Sequence, residues 1–144
     1  MPMEIVQIRR RVQVRLADIK RGAAERREKA AAAERAYESF LANVATPTVN
    51  AVAQSLSAEG YPYKVTTPGK AVRMVSDRSG RTYLEVRLDT AGPAPQLVAE
   101  IGRERGSRIL ADERPICQGM AIEAVTDEDL LAAILDAMAE LIER

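Results

Sequence analysis

Read at alternating steps of four and three, the first third of the chain gives Ile5, Arg9, Val12, Leu16, Ile19, Ala23, Arg26, Ala30, Ala33, Tyr37, Phe40 and Val44, and ten of these twelve residues are apolar. A seven-residue apolar rhythm marks a long helix with a narrow sticky seam. No proline interrupts residues 4–45, and Gly22 is their single glycine. The middle, Ala23 to Ala36, is rich in alanine, the best helix former, and Glu25 with Lys29 makes a favourable (i, i+4) pair. The pattern predicts one helix from about Met3 to Val44. A hairpin turning at Gly22 is the alternative, but helix–helix turns normally use two to five loop residues, and only one good breaker is present.

The length of this helix carries the first functional expectation. Forty residues at 1.5 Å each span about 60 Å, whereas a compact domain of about 100 residues is roughly 35 Å across. Part of the seam must project, and the expected cover is another copy of the chain. The candidate partner-binding residues are Val12, Leu16, Ile19, Ala23, Ala30, Ala33, Tyr37 and Phe40. The small residues among them let two helix backbones come close while burying little area per contact. With Arg9 at heptad position a, Arg15 falls at g and Lys20 at e, where they repel across a parallel pair. The expected homo-oligomer is therefore antiparallel, or it docks the helix on the β domain of a partner subunit. The acidic last helix is one candidate counter-surface.

After residue 45 the pattern changes. Thr46-Pro47 is expected to end or kink the first helix, and a second fits residues 47–59, with Val49, Val52, Ala53 and Leu56 on one face and Gly60 as its C-cap. Short strands follow at Tyr61 to Thr66 and Ala71 to Ser76. The clearest period of two runs from Thr82 to Asp89, with Thr82, Leu84, Val86 and Leu88 facing one way and Tyr83, Glu85, Arg87 and Asp89 the other. That is a half-buried antiparallel strand with one wet face. Leu97 to Gly102 is the next strand, Arg103 to Gly106 a turn, and Arg108 to Ala111 and Ile116 to Ala124 are weaker strands. Thr126 and Asp129 form a capping box for a last helix whose stripe, Leu130, Leu131, Ile134, Leu135, Met138, Leu141 and Ile142, is wide enough to cover a sheet. The predicted class is α+β: a long N-terminal helix, a second helix, an antiparallel meander of four or five strands, and a C-terminal helix packed on the sheet. The organisation read from the chain is a helical, coiled-coil-like extension over residues 1–45 and a small α+β domain over 46–144.

Composition narrows the chemistry. The 144 residues contain no histidine, which removes the commonest general base and metal ligand, so no metal site or cofactor is expected. Aromatic residues make up 3%, which points to an aliphatic core built from Leu, Ile, Val, Met and Ala. The single cysteine, Cys117, precludes an intrachain disulfide and suits a reducing cytoplasm. It reads as a small apolar residue, since no histidine stands ready to activate its thiol. Asp112-Glu113 reads as a turn, because neighbours on a strand would point to opposite faces. Arg73, Tyr83 and Arg87 read as the wet side of the sheet. No apolar run is long enough for a transmembrane helix.

The formal net charge is zero, but Arg9, Arg10, Arg11, Arg15, Lys20, Arg21, Arg26 and Arg27 face only Asp18 and Glu25 within residues 9–27. Clustered positive charge contacts phosphates, so the alternative expectation is a nucleic-acid-associated accessory factor. The Arg9–Arg11 run, however, winds around the helix instead of lining one face. The leading expectation is a cytoplasmic, non-enzymatic, homo-oligomeric interaction module assembled through its N-terminal helix.

Overall fold

A computed structural model describes residues 1–142. Helix α1 runs unbroken through Gly22, from Ile5 to Phe40. The expected break at Thr46-Pro47 does not occur. Residues Leu41–Ala45 form a π turn, and helix α2 continues directly from Thr46 to Ala58. Proline lacks an N–H and its ring crowds the carbonyl four residues earlier. The wider π turn accommodates this, and the Thr46 N–H bonds the Leu41 carbonyl five residues back. Both flanks are anchored, since Phe40, Ala45 and Val49 are all buried in one core, so the chain stays helical across the junction.

Helix α2 ends as expected. Gly60 has φ +94°, its N–H bonds the Ser57 carbonyl, and the Tyr61 N–H reaches the Leu56 carbonyl at 2.8 Å. This left-handed cap satisfies two carbonyls that the helix end leaves open.

Five strands then form an antiparallel meander in sequence order: β1 Tyr63–Thr66, β2 Val72–Ser76, β3 Tyr83–Asp89, β4 Gln96–Arg105 and β5 Arg108–Pro115. Three sequence expectations are corrected here. The chain does not turn at Arg103; β4 continues to Arg105. Asp112-Glu113 is not a turn but lies within β5, paired with Ile101 and Glu100. Ile116 to Ala124 is not a strand; it contains a tight turn and a short 3₁₀ helix, Ile122–Ala124. The edge strand β5 is exposed over most of its length. It is held by backbone pairing with β4, so its sequence shows no apolar alternation. Its charged side chains suit an unprotected sheet edge.

Register puts Met74, Leu84 and Ile101 in one row and Val72, Val86 and Ala99 in the next. These residues face the helices and are buried. Helix α3, Asp127–Ile142, lies on the same face and contributes Leu130, Ile134, Ala137 and Leu141 to the core. Its capping box is reciprocal: the Asp129 N–H donates to Thr126 Oγ1 at 3.2 Å, and the Thr126 N–H donates to Asp129 Oδ2 at 3.0 Å. Its far end is tied down by the Tyr63 hydroxyl, which donates to the Leu141 carbonyl at 2.8 Å. The core is mainly aliphatic, but Tyr37, Phe40 and Tyr63 also belong to it.

Candidate interaction surface

The first seventeen residues of α1, Ile5 to Arg21, lie outside the buried core. Every residue from Met1 to Arg21 is exposed, a projection of roughly 25 Å beyond Gly22. Ile5 is 81% exposed, and Ile8, Val12, Leu16 and Ile19 are each about half exposed. At about 100° per residue these five share one face. That face continues the line of Tyr37, which is only 2% exposed on the chain's own domain. Ile8 lies between steps of the strict four-three seam, which is why the sequence pattern passed over it.

The end of this projection is poorly supported by its own sequence. Glu4, at the N-cap, makes no side-chain cap bond, and the first turn holds no acidic residue. Three of its four residues are β-branched, which lowers helix propensity. Arg9 to Arg11 sit near the positive end of the helix dipole, an unfavourable placement. Helices in proteins draw most of their stability from packing of an apolar face, and here that face is bare.

The structure divides the predicted partner-binding residues. Val12, Leu16 and Ile19 are exposed and available. Ala23 and Ala30 are half-buried, and Ala33 is half-buried against the core. Tyr37 and Phe40, expected at the partner seam, are buried within the chain's own core. Their rings stack at 6.5 Å between centroids. The Tyr37 hydroxyl donates to the Lys70 carbonyl, and the Val86 carbonyl lies 3.4 Å away. The last turns of α1 are thus part of the globular core, not of the extension.

Arg9, Arg10, Arg11, Arg15, Lys20, Arg21, Arg26 and Arg27 are all exposed. Among the described residues Arg21 pairs with Asp18, and the other seven have no side-chain partner. They surround the helix and do not converge on one point.

A second apolar surface lies on α3, where the sequence pattern assigned the whole stripe to the sheet. The stripe on α3 consists of two adjacent lines. Leu130, Ile134, Ala137 and Leu141 are buried in the core; Leu131 and Leu135 are exposed, and Met138, half-buried against the core, also lines the groove. The second line forms one wall of an open groove of about 640 Å³, whose other wall is α2 with Pro47, Ala51, Val52 and Leu56. Leu135 is 54% exposed. The charged residues lining this groove are Glu59, Asp127 and Glu128, with no lysine or arginine among them. The sequence signal was the stripe's width, which exceeds what one sheet face can cover.

The opposite face of the sheet is closed by its own charges. Glu85, expected on a wet face, is only 8% exposed. Arg73 Nε donates to Glu85 at 3.0 Å while its guanidinium stacks 4.2 Å from the centroid of the Tyr83 ring. Arg87 donates to Glu100 at 3.2 Å and pairs with Glu113, and the Tyr83 hydroxyl donates to Glu100. Burial, then the bond to Glu100, pushes the Tyr83 hydroxyl up to about 12. Each charge in the cluster is answered by a neighbour.

A wider cleft of about 1000 Å³ lies between Lys29, Ala32, Ala33 and Ala36 of α1 and the loops around Pro93 and Cys117. Cys117 is half-buried with φ +51°. Burial, then the Asp129 charge, raises its thiol above the ordinary cysteine range, so the thiol form dominates and nucleophilicity is low. Among the described residues no group of His, Cys, Asp and Glu is placed to hold a metal ion. No helix among them is long and apolar enough to cross a membrane. Comparison with protein-family models, with curated proteins and with solved structures gave no match.

Proposed function

We propose that this chain is a non-enzymatic, homo-oligomeric interaction module that assembles through the free half of α1, in a cytoplasmic setting that suits its single unpaired cysteine. The observation that supports this reading is a helix that presents Ile5, Ile8, Val12, Leu16 and Ile19 on one face to solvent, with no packing of its own. Scattered exposed aliphatic residues are ordinary on a protein surface. Five in line on a projecting helix with an uncapped end are a surface awaiting a partner. Parallel pairing is disfavoured because Arg15 and Lys20 would oppose each other across the seam. Antiparallel pairing or docking on a partner's domain avoids that repulsion.

The nucleic-acid reading rests on the same helix. Its arginines spread around the helix outside the apolar face, and the chain carries compensating acidic surface of its own, so assembly is the better reading of the charge.

Light scattering at micromolar concentration tests the proposal. The expected mass is a multiple of 15.8 kDa, and it should fall to one chain in a Val12→Glu, Leu16→Glu variant that still unfolds cooperatively, at a lower midpoint because assembly no longer adds to stability. A wild-type protein that stays at 15.8 kDa overturns it.

A further inference from the structure

We propose that the free half of α1 from one chain seats in the α2–α3 groove of a second copy. This rests on the reading that the helix assembles the protein, and names the surface that receives it. Charge supports the pairing. Residues 5–21 hold six basic residues and one acidic residue, whereas α3 holds five acidic residues and no basic one. The groove rim repeats the asymmetry with Glu59, Asp127 and Glu128. Opposed patches of this kind steer association and fix orientation.

Shape supports it as well. An amphipathic helix docks by setting side chains at three- and four-residue spacing into an apolar groove. Ile5, Ile8, Val12, Leu16 and Ile19 have that spacing, and Leu131, Leu135 and Met138 present a matching ridge. The helix face alone is marginal. Four of its five side chains are already about half covered, so the apolar area still to be removed from water offsets little of the cost of association. Covering the exposed Leu131 and Leu135 of the groove together with the helix adds to the apolar area removed from water. The arrangement is also reciprocal: each chain supplies one helix and one groove, so two copies close on each other and leave neither face open.

A chain cannot fill its own groove. Asn43 lines the groove and is joined to Arg21 by continuous helix. Those 22 residues hold the free segment roughly 30 Å away along the axis. Docking within one chain would require α1 to break.

Cysteine cross-linking in the full chain tests this. In a Cys117→Ser background, one chain carries Leu16→Cys and the other Leu135→Cys. The expected result is a disulfide between the two variants when mixed, together with dimerisation at least tenfold weaker in Leu131→Glu, Leu135→Glu. Both leucines are already solvent-exposed, so that variant keeps its fold, and the cross-link reads the contact independently of it. If the protein is oligomeric but only Leu16→Cys chains link to one another, and the groove variant still assembles, the groove assignment is overturned while helix-mediated assembly stands. A wild-type monomer overturns both. Saturation of the groove by a small apolar probe without loss of the oligomer also overturns the groove assignment.

Discussion

The Tyr83 ring lies against Gly102, its cross-strand partner on the charged face of the sheet. A Cβ at position 102 would stand 2.7 Å from the ring's Cδ1 and closer still to Cε1 and Cζ. The ring cannot easily yield, because its hydroxyl is bonded to Glu100 and its face is stacked under Arg73. Gly102→Ala should therefore destabilise by about 1–3 kcal/mol, the usual range for overpacking, seen as a lower midpoint in urea unfolding. Adding Tyr83→Ala should remove most of that penalty, since the clash exists only as a pair. An additive double variant would place the ring elsewhere.

Gly22→Ala should act in the opposite direction. Gly22 lies inside α1, and the nearest obstacle to a Cβ is the flexible tip of Arg26 at 3.4 Å. Alanine in a helix interior is favoured over glycine by about 0.5–1 kcal/mol. Circular dichroism should show helicity retained to higher temperature. Loss of helical signal in this variant would mean that the chain turns at Gly22.

Tyr37→Phe tests whether the end of α1 belongs to the globular core. The hydroxyl has one proton, and the Lys70 carbonyl is the nearer acceptor. Removing it leaves that carbonyl without its partner, a loss of about 1–3 kcal/mol. Thermal unfolding should shift down while the mass in solution stays unchanged. A shift in mass with no change in stability would instead place Tyr37 at a subunit contact.

Three tyrosines predict the alkaline limit. Burial first, and for Tyr37 the Glu85 charge next, raises the hydroxyls of Tyr37, Tyr63 and Tyr83 from 10.0 to about 12. The fold thus favours the neutral hydroxyl. The unfolded chain releases these protons near pH 10.0, so above that point it binds fewer protons than the native state and stability falls. The contribution is complete below pH 10.0 and is lost between pH 10.0 and about 12. Tyrosinate absorbance should rise together with the loss of the fold across that window. Three tyrosinates forming near pH 10.0 in a still-folded protein would contradict the burial of these hydroxyls.

Where the sequence was informative, the signal was local. The capping box needs only Thr126 and Asp129, three residues apart. The Gly60 cap needs one residue without a Cβ. The period of two in β3 records which side chains face the helices, and Leu84 and Val86 are indeed fully buried. Class, element order and the unbroken N-terminal helix were legible for this reason. The strand β5 was not, because an exposed edge strand is specified by its neighbour's hydrogen bonds and not by its own apolar pattern.

The sequence by itself determined that α1 is long, amphipathic and longer than its domain, since periodicity and rise per residue are properties of the chain alone. Only the tertiary structure decided where that helix stops being free. Tyr37 and Phe40 carry the same apolar signature as Leu16 and Ile19, yet one pair is sealed in the core and the other stands in water. The same holds on α3, where Ile134 meets the sheet and Leu135, its neighbour, faces the groove. An apolar side chain states that it should be covered; which surface covers it depends on the distances between elements, and those are set by packing.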